Sequence, residues 1–127
     1  YRMVYDADGL NSIQLGLATS TDGKSWEKYP HNPIFRQRGW FANPECDRWD
    51  AGIEVHQTFA IGDFFVMLYE GLGNYRHRYN LGVAYSPDCK VWARSPDNPI
   101  FPLTGPNVKQ DMSTVHPWLL LDEMIVN

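Results

Sequence analysis

The chain has 127 residues, 43% of them hydrophobic, 20% charged and 14% aromatic, with a formal net charge of −4. That length suits one folded unit, and the acidic balance argues against nucleic acid as a partner, because phosphate neutralisation needs a concentrated excess of Lys and Arg. No apolar run approaches the roughly 18 residues of a membrane-spanning helix, and no charged-then-apolar opening marks a secretory leader.

Taken in order, the chain opens in an apolar stretch, Met3-Val4-Tyr5-Asp6, and closes on Met124-Ile125-Val126-Asn127, so both natural ends are expected to be missing or trimmed. Leu15 to Ala18 leads into Ser20-Thr21-Asp22-Gly23-Lys24-Ser25-Trp26, where Asp-Gly is expected to supply the positive φ of a tight hairpin turn. Asn32-Pro33-Ile34-Phe35 is then expected to leave the sheet, because a proline donates nothing to a ladder. Ile53 to Ala60, Asp63 to Tyr69 and Asn80 to Tyr85 are rich in β-branched and aromatic residues and read as strands, with Ile61-Gly62-Asp63 as a turn. A fourth short strand is expected around Val91 to Arg94, and no segment reads as a helix of useful length. Cys46 and Cys89 lack metal spacing and read as two free thiols, which leaves the compartment open.

An internal repeat organises these elements. Residues 15–35 and 81–101, which lie 66 apart, share Leu, Gly, Ala, Ser, Asp, Lys, Trp, Pro, Asn, Pro, Ile and Phe at twelve of twenty-one positions. Met3-Val4-Tyr5-Asp6 also matches Met67-Leu68-Tyr69-Glu70, and Val55-His56 matches Val115-His116, so one unit runs to about 60–66 residues. The chain is therefore expected to form a single all-β unit of two tandem repeats, about 3–66 and 67–127, each a blade of four antiparallel strands. A two-sheet sandwich is the structural alternative. Blades need neighbours on both faces, so the unit is expected either to belong to a longer chain or to form a homo-oligomer.

Trp49-Asp50, Phe65-Val-Met-Leu-Tyr-Glu-Gly71, Leu81-Gly-Val-Ala-Tyr-Ser-Pro-Asp88, Trp92 and Asn98-Pro-Ile-Phe101 together resemble the five-bladed β-propeller glycoside hydrolases, which include arabinanases, xylosidases and invertase-like enzymes. The resemblance covers nearly the whole chain, twice. It implies a carbohydrate partner and catalytic carboxylates at the start of the innermost strands. Here those slots read His56-Gln57 and His116-Pro117, so the usual three-carboxylate set is not reproduced in this chain. The Ser-x-Asp-Gly-x-x-Trp and Asn-Pro signatures build blades, so function has to be argued from the site itself.

Antiparallel pairing brings the start of a blade's first strand beside the end of its second. This groups Asp50, Glu54 and His56 with Glu70 and with the loop carrying Tyr75, Arg76 and His77, and in the neighbouring copy it groups Asp111 and His116 with Asp6 and Asp8. Strand periodicity places Glu54 and His56 on one side. Histidine titrates near neutral pH and a carboxylate can orient it, so His56 or His116 with Glu54, Asp50 or Asp111 suits proton transfer on a glycosidic oxygen. Plainer readings make Asp50 and Asp111 turn-forming residues and leave the histidines lining a wet channel. Glu70, Tyr75, Arg76, His77 and Trp118 are candidates for substrate binding, and the unrepeated Trp40, Phe41 and Trp49 for stacking on a sugar or for ordinary packing. The repeated Trp26 and Trp92 read as packing between blades. Arg36, Arg38 and Arg48 with Glu45 and Asp47 read as a solvated, salt-bridged loop. No recognised metal motif and no cofactor motif is present, and the alternative to an enzyme is a non-catalytic carbohydrate-binding or assembly module.

Overall fold

The computed structural model describes residues 1–8, 13–39, 45–46, 48–73 and 79–100, with Val55 and Tyr79 described by their backbone alone. The described residues form strands only: β1 (Arg2–Asp8), β2 (Ile13–Thr19), β3 (Glu27–Lys28), β4 (Gly52–Ile61), β5 (Phe64–Leu72), β6 (Tyr79–Ser86) and β7 (Ala93–Arg94). They make two antiparallel meanders, β1-β2-β3 and β4-β5-β6-β7. The match of Met3–Asp6 to Met67–Glu70 sets β1 equivalent to β5, β2 to β6 and β3 to β7. The second sheet has the four strands expected near 53–60, 63–69, 80–85 and 91–94 and runs across position 66, and the first holds the second to fourth strands of another blade.

Turn chemistry divides the strands. Gly62 has a φ of 57° and opens the two-residue loop between β4 and β5, the position at which a II′ hairpin demands glycine. The longer loop after β2 is not the tight turn expected. Ser20 Oγ accepts from the Asp22 and Gly23 amides, and Asp22 Oδ1 accepts from the Lys24 and Ser25 amides. Ser86 and Asp88 repeat all four bonds after β6. The side chains therefore serve a wide loop whose backbone donors have no strand beside them. Gly23 takes a φ of 74°, and Cys89 is held at 65° in the equivalent place, where a side chain is disfavoured. This loop consumes Val91, so β7 is shorter than expected.

The Asn-Pro-Ile-Phe segment does not leave the sheet. Asn32 Oδ1 accepts from the Leu17 amide at 2.8 Å, while its Nδ2 donates to the Leu17 carbonyl at 2.9 Å and to the Tyr5 hydroxyl at 3.2 Å. Asn98 makes the same three bonds with Val83 and Tyr69. One side-chain amide thus does what a neighbouring strand would do at that residue, and the ladder resumes after the cis proline: Ile34 donates to the Leu15 carbonyl, and Ile100 to that of Leu81.

The core lies between the sheets: Leu15 and Phe35 from the first, and Ile53, Met67, Tyr69 and Ala84 from the second, all essentially buried. Burying each large apolar side chain contributes roughly 1.5–3 kcal/mol. Trp92 packs against this cluster as expected, but Trp26 is 38% exposed. Met67 is fully buried and its counterpart Met3 is 38% exposed. The reason is directional. Equivalent residues face the same way from each sheet, so the face that carries Met67 and Trp92 meets the first sheet, whereas the face that carries Met3 and Trp26 points away from the second.

Candidate active site

β4 brings Glu54 and His56 to one end of the second sheet, but not as simple alternation would have it. Glu54 pairs with Glu70, and His56 pairs with Tyr69, so the register slips by one residue between them. This β-bulge, with Val55 as the extra residue, transfers His56 from the face of Glu54 to that of Ile53 and Tyr69, which looks toward the first sheet. There its Nδ1 lies 3.1 Å from Asp6 Oδ1 near the end of β1. The imidazole is nearly covered, at 10% exposure, and the carboxylate is half open, at 49%.

Asp6 thus fills the place expected for Glu54 or Asp50 as the carboxylate partner of His56. A signal for it was present, since Asp6 is the repeat counterpart of Glu70. What the sequence lacked was the bulge that turns the histidine toward it. Burial, and then the negative charge of Asp6, push the Glu54 carboxyl above its ordinary range. With Nδ1 bonded to a carboxylate, the imidazole is left with Nε2 for proton exchange.

Asp50 sits elsewhere in the packing. It is 1% exposed, with Arg94 Nε at 3.1 Å and Arg38 Nη1 at 3.8 Å from Oδ2. Its backbone carbonyl accepts from the Arg38 amide. Among the described residues its charged partners are these two arginines, not His56. Arg38 therefore belongs to a partly buried ion pair rather than to a solvated loop. Glu70 is buried within β5, at the same register level as Glu54. Trp49 stacks on Tyr69 with ring centroids 5.6 Å apart and lies against Gly71 and Gly82, where a Cβ would come within 2.3 and 2.5 Å of its ring. Tyr75, Arg76, His77, Asp111, His116 and Trp118, and also Trp40 and Phe41, lie outside the described residues. Among the described residues no group of three or more His, Cys, Asp or Glu could hold a metal ion, and neither Cys46 nor Cys89 is in a disulfide.

Two adjacent antiparallel meanders with this repeat are the blades of a β-propeller. No protein-family model and no curated protein matches the chain. Among solved structures it is similar to a glycosyl hydrolase from Bacteroides ovatus, at 26% identity with a TM-score of 0.55 over 73% of this chain and 27% of that one. A second Bacteroides ovatus protein, provisionally assigned as a glycoside hydrolase, matches at 26% identity and a TM-score of 0.57, over 73% of this chain and 26% of that one. The GH32 β-fructofuranosidase of Bombyx mori shares the fold at 17% identity, with a TM-score of 0.53 over 73% of this chain and 19% of that one. The chain has the blade fold of the propeller glycoside hydrolases, and it spans about a quarter of the length of the two bacterial proteins.

Proposed function

We propose that the chain contributes to a glycoside hydrolase acting on a carbohydrate at the end of the sheets where β4 begins, with His56 as the proton-transfer residue, Asp6 as its orienting partner and Glu54 as a second acid. The observation that carries this reading is the His56 Nδ1 to Asp6 Oδ1 contact of 3.1 Å, made across two sheets and dependent on a bulge. A bulge beside such a pair re-aims a side chain at the expense of ladder regularity. A carboxylate on Nδ1 holds one tautomer and stabilises the imidazolium formed when Nε2 takes a proton from water. Glu54, whose carboxyl is raised by burial, retains a proton at higher pH than an exposed glutamate and suits protonation of the departing glycosidic oxygen. The glycoside hydrolase neighbours support the substrate class. Roles for Glu70, Asp111 and His116, and sugar contacts by Tyr75, Arg76, His77 and Trp118, belong to the same proposal.

The test is sugar release from a panel of aryl glycosides and oligosaccharides. His56→Ala and Glu54→Ala are each expected to lower turnover by about tenfold or more, with the melting transition retained, and Asp6→Asn to lower it in the same direction. Unchanged rates in His56→Ala would remove the assignment. The histidine standing where related propellers carry a carboxylate favours one second reading, a carbohydrate-binding blade pair without turnover. Glycan binding with no sugar released would select it.

A further inference from the structure

A cavity of about 430 Å³ is lined, among the described residues, by Arg38, Trp49, Arg94, Ser95, Pro96 and Asn98. Its volume lies within the range of small-ligand pockets. Asp50 is the carboxylate that both guanidinium groups reach among the described residues, and one carboxylate set against two guanidinium groups leaves the described part of the wall with an excess of positive charge. The two arginines are also held differently. Arg94 stands 3.1 Å from Asp50 in an ion pair that lacks hydrogen-bond geometry, and it is anchored by its Nη2 donating to the Arg36 carbonyl and by its guanidinium lying 4.0 Å from the centroid of Phe35. Arg38 meets Asp50 at 3.8 Å, beyond hydrogen-bond length, and its side chain is 47% exposed. A guanidinium carries five donors in a planar fork that matches an oxyanion. Beside it stands the indole of Trp49, fixed from behind by Tyr69, Gly71 and Gly82.

We propose that this cavity binds a small oxyanion-bearing ligand, a sugar carboxylate or a phosphate, with Arg38 as the mobile clamp, Arg94 as the fixed charge and Trp49 as the apolar wall. The site is separate from His56 and does not rest on the hydrolase reading. Asp50 sets the charge of the described wall: it faces Arg94 at 3.1 Å and Arg38 at 3.8 Å.

Titration of the full chain at constant ionic strength with glucuronate, inorganic phosphate and glucose, followed through the ¹H–¹⁵N signal of the Trp49 indole, tests the proposal. Saturable movement of that signal by glucuronate or by phosphate, weakened about tenfold or more in Arg38→Gln, is expected; which of the two anions acts distinguishes the sources. Arg38 is half exposed, so Arg38→Gln is expected to keep the parent melting transition, and Arg38→Lys, which keeps the charge but not the fork, should fall between the two. No response to either anion, an equal response to glucose, or a response that survives Arg38→Gln overturns the proposal.

Discussion

Asp22 and Asp88 show how much of the repeat signature is local chemistry. Each carboxylate accepts two backbone amides from the loop that follows it, and these bonds hold it below the ordinary carboxylate range, down to about 2 for Asp22. The unfolded chain titrates near the ordinary value, so the stabilisation from Asp22 is complete above about pH 4 and fades as the pH falls toward 2. A carboxyl ¹³C titration is expected to show this midpoint in the parent chain and an upward shift in Ser20→Ala, which removes a further bond to Asp22. Glu54 runs the other way. Its raised carboxyl means that folding favours the protonated form, so its contribution to stability declines as the pH rises through the carboxylate range and above. At Gly23, with a φ of 74°, substitution by Ala is expected to cost about 1 kcal/mol in a urea melt from backbone conformation alone.

The elements are joined by devices that single residues carry but only pairing explains. Asn32 and Asn98 each substitute for a strand, satisfying both backbone groups of one residue and one tyrosine hydroxyl. Asn98→Ala is expected to cost about 2–4 kcal/mol, since three bonds go and the Val83 amide and carbonyl lose that partner; a loss below 1 kcal/mol would mean that water replaces the clamp. Gly71 and Gly82 have a different reason to be glycine. They form the shelf on which Trp49 lies, and a methyl group at either position meets a rigid ring rather than a flexible chain. Gly82→Ala is expected to destabilise by about 1–3 kcal/mol, with a change in the near-ultraviolet signal of the Trp49–Tyr69 pair.

At the scale of the whole molecule, stability resides in the face between the sheets. Met67→Ala is expected to cost about 2–5 kcal/mol, as buried methionines do, and Met3→Ala well under half of that, although the repeat makes the two positions equivalent. Equal costs would show that the outer face is covered in solution. Arg94 joins the halves: it pairs with Asp50, bonds the Arg36 carbonyl and lies over Phe35. Removing it leaves the buried Asp50 charge with the more distant Arg38 at 3.8 Å, so Arg94→Ala is expected to cost about 3 kcal/mol, and a companion Asp50→Asn change to restore part of the loss in a double-mutant cycle.

The strands and the class of fold were legible in the residues themselves, because alternating apolar runs, the Ser-x-Asp loop and Asn-Pro are local signals that recur 66 positions apart. The residues of the candidate site were legible as types, but not as partners. His56 was expected beside Glu54 and lies against Asp6, because one bulge reverses every face beyond it and nothing in residue spacing marks a bulge. Asp50 was a candidate for the chemistry and lies under two arginines, and Trp49, open in the sequence between a sugar and ordinary packing, stacks on Tyr69, because burial depends on which sheet lies against which face. Periodicity determines what a strand offers on each side, and only the tertiary structure decides what meets it.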